Sequence, residues 1–161
     1  MGQQKITDLT PGEQDWIARN LAKAGEVAER YGLGPDAESR LGPATLDRAW
    51  AAWLAEHQRG ADDPNSIINA FGIALGQHFV DRLGLEWKVV QDDQGTEMAV
   101  WGRAGDVLVF PPNLVGKRYA SGVTTFFEEV ATQTEATVTE VRAKLAAPQR
   151  SVLGRLFGRD R

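Results

Sequence analysis

The chain contains no cysteine. That absence rules out a disulfide framework, a thiolate nucleophile, a cysteine-ligated zinc site and an iron–sulfur cluster, and it fits a reducing, cytoplasmic setting. Histidine is nearly as scarce. His57 and His78 are the only two, with no HxxxH or HExxH grouping, so a zinc or iron site would lack its usual ligands. None of the serines Ser39, Ser66, Ser121 and Ser151 stands in a GxSxG elbow, which removes the commonest hydrolase arrangement. No catalytic residue, metal or cofactor is expected. No apolar run approaches the roughly 20 residues of a membrane span, and the opening MGQQKITDLT lacks the apolar core of a signal peptide. Neither insertion into a membrane nor export by that route is expected.

A basic surplus is missing too. The net charge is −4, and Arg150, Arg155, Arg159 and Arg161 against Asp160 give the segment from Pro148 onward +3, which leaves −7 for the body. Such a body repels phosphate backbones, so a nucleic-acid partner is not expected.

What is present reads as a folded α+β unit: 161 residues, 42% hydrophobic and 25% charged, are enough for a real core. TPGE at Thr10–Glu13 combines an N-cap threonine, a first-turn proline and a capping-box glutamate, which predicts a helix to about Tyr31. A second helix is expected from Pro43 to about Gln58, with Leu46, Trp50, Trp53 and His57 in one stripe. Asp63 and Pro64 open a third, which stops at Gly84. It is apolar on two sides, as in a helix buried between layers, and the line Asn69, Gly72, Gly76 lets another backbone come close.

The period then changes. Glu86–Gln91, Thr96–Gly102 and Asp106–Phe110 are short, valine-rich runs separated by turn signals, which predicts a three-stranded antiparallel meander ended by Pro111 and Pro112. A long last helix, about Val123 to Ala146, carries Phe127, Val130, Ala131, Val138 and Leu145 at helical spacing. At about 35 Å it outreaches a small sheet, so part of it must pack on the N-terminal helices or on a second copy of the chain. The expected architecture is helices on one face of the meander, closed by this helix. Residues 1–62 form a helical segment packed on the core, 63–147 the α+β domain and 148–161 a basic amphipathic tail, in which Val152, Leu153, Leu156 and Phe157 oppose the arginines. The tail is expected to dock on the acidic body rather than on a membrane.

Four side chains are the candidates for a site. In FGIALGQHFVDRLG, Phe71–Gly84, His78 falls one turn after Leu75, where it reads as a hydrogen-bonded imidazole at the edge of the core. It gains interest only if His57, on the preceding helix, approaches it. In PPNLVGKRYASG, Pro111–Gly122, Lys117 and Arg118 precede a helix start, where amides and two cations can hold a carboxylate or phosphate, with Tyr119 beside them. The plainer reading is a connector. The acidic pairs Asp62-Asp63, Asp92-Asp93 and Glu128-Glu129 fit turns and helix starts rather than acid/base catalysis.

The glycine-spaced helix, the hairpin LGLEWKVVQDDQGTEMAV and the connector VLVFPPNLVGKR, from Ile67 to about Val130, resemble a family of bacterial domains of unknown function, domain of unknown function 3806. The resemblance implies a small cytosolic α+β bacterial protein and brings no catalytic residues. Two functions follow as expectations. The first is a non-enzymatic protein-interaction or regulatory domain, of immunity type by analogy, able to form a homodimer through the last helix. The second is a small anionic-ligand binder or an enzyme centred on Lys117, Arg118 and Tyr119 with His78.

Overall fold

Thr10 starts the first helix as its signature requires: its hydroxyl accepts from the Glu13 amide at 3.3 Å while the Glu13 carboxylate accepts from the Thr10 amide at 2.8 Å. In the computed structural model, which describes residues 3–34, 41–56, 59–103 and 106–146, this helix is α1, Pro11–Arg30. It buries Ile17, Ala24, Val27 and Ala28. α2 spans Pro43–Ala55 and buries Leu46, Trp50 and Trp53. His57 and the arginine tail lie outside the described residues.

α3, Pro64–Leu83, runs through the centre of the molecule. Asp63 caps its start, and Gly84, at φ 66, ends it in the left-handed conformation that glycine adopts without steric cost. Ile67, Phe71, Ile73, Leu75 and Phe79 are all buried, and α1, α2, α4, α5 and the sheet pack around them. The glycine line works as a close-approach device. A Cβ on Gly72 would lie 2.5 Å from Pro112 Cα, and one on Gly76 would lie 2.2 Å from the Trp87 ring.

The sheet has four antiparallel strands, not three: β1 (Lys5–Thr7), β2 (Glu86–Asp92), β3 (Gly95–Gly102) and β4 (Val107–Val109), in that spatial order. β2, β3 and β4 are the expected meander. β1 adds an edge, with Ile6 opposite Val90. Its three residues are all exposed, too few and too polar to show a period of two.

The connector after β4 is also more regular than expected, since Pro111–Ala120 forms α4. Pro111 and Pro112 do end the strand, but they fill the first helical positions, where a missing amide costs nothing. α5 follows as Phe127–Ala146, starting four residues later than its apolar pattern suggests. It packs on α2 and α3, so the helices rather than the sheet absorb its length.

Aromatic rings fill the centre. Trp50 touches Trp53, Phe71, Tyr119, Phe126 and Phe127 at centroid distances of 5.3 to 6.2 Å, and its indole N–H donates to the Val123 carbonyl at 3.2 Å.

Candidate functional site

The N-terminus of α5 is held from a distance. Asp47 of α2 is buried, and its carboxylate accepts from the amides of Phe126 and Phe127, both at 2.7 Å, and of Glu128 at 2.9 Å. These amides have no partner within their own helix, and the positive end of the α5 dipole favours the charge they surround. At the other end of the α3–α5 contact, Arg142 donates to the Leu83 carbonyl at 2.7 Å, closing the C-terminus of α3. These two anchors fix α5 across α2 and α3.

Between them lies a cleft of about 1080 Å³. Leu21 of α1, residues 41–45 at the start of α2, Ala74 to Arg82 of α3 and Glu128 to Glu135 of α5 line it. His78 faces it, with Nε2 2.9 Å from the Glu135 carboxylate, and Arg82 stands 3.8 Å from the other oxygen of Glu135. Gln77, the residue before His78, donates to Asp81 at 3.0 Å and accepts from the Trp87 indole at 3.0 Å. His78 is therefore both things at once, a hydrogen-bonded residue at the core's edge and part of the wall of an open hollow.

Lys117, Arg118 and Tyr119 do not share this hollow with His78. They form the last turn of α4, where carbonyls rather than amides point outward, and the amides of the nearby α5 start are already held by Asp47. Lys117 is exposed. Arg118 reaches the Leu114 carbonyl at 3.5 Å and lies 5.9 Å from the centroid of the Phe126 ring. Tyr119 is packed in the aromatic centre, 6.2 Å from Trp50 and 6.1 Å from Trp53.

A second groove of about 660 Å³ runs between α1, the sheet and the α3–α4 junction, with Trp16, Met98, Phe110 and Pro112 on its walls.

Two further polar pairings lie outside both hollows. Arg30 donates to Asp62 at 2.7 Å and the Trp53 indole donates to the same carboxylate at 3.1 Å, so the guanidinium first and the indole second hold the Asp62 carboxyl below its usual range. Beside it Tyr31 donates to Glu56, and burial is the main reason its hydroxyl is pushed up. Both pairs tie the end of α1 to the region that follows α2.

The model of the family described as Domain of unknown function (DUF3806) matches residues 47–130, more than half of the chain. The chain belongs to this family. No curated protein and no solved structure matches it. The family stretch opens on Asp47 and closes on Val130, so it contains both sides of the Asp47 anchor and His78, while Glu135 lies beyond it.

Sequence reasoning passed over Asp47 and Glu135. The signal for Asp47 was a carboxylate beside Leu46 and one turn before Trp50, on the stripe that α2 buries. Glu135 carries no such mark, because its partner is 57 residues away.

Proposed function

We propose that this protein is a non-enzymatic interaction domain of regulatory or immunity type, acting in the bacterial cytoplasm, and that the cleft between α1, α2, α3 and α5 is its contact surface. The observation that supports this is the way the cleft's polar groups are engaged. His78 and Arg82 both face Glu135, and Gln77 bonds Asp81. Every buried side-chain polar atom among the described residues has a hydrogen-bond partner. These side chains hold one another in place and so shape the wall of the cleft as a fixed surface. The hollow is also large and open. At about 1080 Å³, lined from four separate stretches of the chain, it has room for a segment of another protein.

The test is photo-crosslinking in the native host, with a benzophenone amino acid at Thr132, which is exposed on the cleft, and in a second variant at Thr139, which is exposed off it. A discrete protein adduct from position 132 and none from 139 is the expected result. Equal labelling from both positions, or none from 132, would contradict the proposal.

A further inference from the structure

The cleft combines two surfaces of different chemistry. Its deeper part is hydrocarbon, with Leu21 and Leu41 half-buried and Ala74 and Ala131 buried. Its outer part carries three carboxylates, Asp81, Glu128 and Glu135, against the one guanidinium of Arg82. Glu135 is unevenly held: one oxygen sits 2.9 Å from His78, while the other has Arg82 at 3.8 Å, beyond hydrogen-bond range, on a side chain that is 69% exposed.

Resting on the reading of this cleft as the contact surface, we infer that its occupant is an arginine or lysine side chain presented by a segment of a partner protein. Such a side chain is hydrocarbon along its stem and positive at its tip, which matches a deep apolar wall beneath an acidic rim. Its stem lies along Leu21 and Ala74, and its head group takes the second oxygen of Glu135 from Arg82. An acidic segment would meet three carboxylates of its own sign, and an uncharged apolar one would strip them of water without giving a partner.

The experiment is an amide-shift titration of the ¹⁵N-labelled 161-residue chain with acetyl-Ala-Arg-Ala-amide and with its citrulline and glutamate counterparts. The arginine peptide is expected to shift the amides of Thr45, Ala74 and Glu135 and to bind about fivefold or more tightly than the citrulline peptide, which keeps the shape and loses the charge. Glu135→Gln should remove that preference, and Arg82→Gln, by deleting the competing cation, should strengthen arginine binding. Because Glu135→Gln also takes away the partner of His78, Glu128→Gln on the exposed rim serves as the second variant, with an expected loss of about twofold. Citrulline or glutamate binding as tightly as arginine would overturn the inference, as would shifts confined to other parts of the molecule or unchanged affinity in both Glu135→Gln and Glu128→Gln. Capture from position 132 together with charge-blind peptide binding would sink this inference alone; failure of both experiments would sink the contact surface as well.

Discussion

Asp47 shows how one side chain sets the placement of a whole helix. Its carboxylate satisfies three amides at the start of α5 from inside the core. Asp47→Ala leaves those donors buried without a partner and is expected to cost about 2–4 kcal/mol in urea unfolding. Asp47→Asn, which keeps one acceptor oxygen and loses the charge, should cost less. Asp62 gives a pH signature. Its carboxyl is held low in the folded protein by Arg30, so the unfolded chain binds the proton more readily. The stabilisation is therefore fully present above the unfolded value of about 4 and fades as pH falls through the lower folded value. Asp62→Asn should flatten the acid limb of stability against pH, and an unchanged acid limb would count against the pairing. At this scale the sequence is informative where partners are near in the chain, as for Thr10 with Glu13 or Asp63 with the Asn65 amide. It marks Asp47 only as a carboxylate on the buried stripe of α2 and gives no sign of its partners, which come 79 to 81 residues later.

Among elements, α3 carries the sharpest contrast. A methyl on Gly72 would strike the backbone of Pro112, which cannot swing away, whereas one on Gly76 strikes the Trp87 ring and Pro111 Cγ. Overpacking of this kind costs about 1–3 kcal/mol or more, so Gly72→Ala and Gly76→Ala should both destabilise, the first by the larger amount. Gly25, inside α1, has nothing within 4 Å of the same position. Gly25→Ala should raise stability by about 0.5–1 kcal/mol, since alanine restricts the unfolded chain and suits a helix. Thermal melts of the three variants check both signs together. The reading of Gly72 and Gly76 as a close-approach line was available from their spacing and the apolar residues around them. α4 was not, because the prolines that end β4 also open the helix, and composition alone reads such a stretch as a connector. β1 escaped for a different reason: an edge strand of three exposed residues is specified by its partner β2 rather than by itself.

At the level of the whole molecule, the cleft exists because α5 crosses α2 and α3 and is fixed at Asp47 and at Arg142. None of its walls is contiguous in the chain. That is why His78 was legible as a candidate while Glu135 and the hollow were not, and why Lys117, Arg118 and Tyr119, adjacent in sequence, belong to a different part of the fold. The large apolar side chains left exposed among the described residues, Ile6, Val123 and Leu145, are scattered singly, and no helix among those residues is long and apolar enough to cross a membrane. Homodimerisation through α5 would have to use its last turns, where Leu145 is exposed and Val141 half-buried. Sedimentation equilibrium at micromolar concentration tests the homodimer: the mass of two chains would support it and the mass of one would contradict it.

The cleft is proposed as the surface that meets a partner. Hydrogen–deuterium exchange of the 161-residue chain, with and without the partner captured from position 132, tests this most directly. Protection is predicted in residues 41–45, 74–82 and 128–135 together, with the 110–120 segment unchanged. Protection confined to the Lys117–Tyr119 turn, or to the sheet, would contradict it.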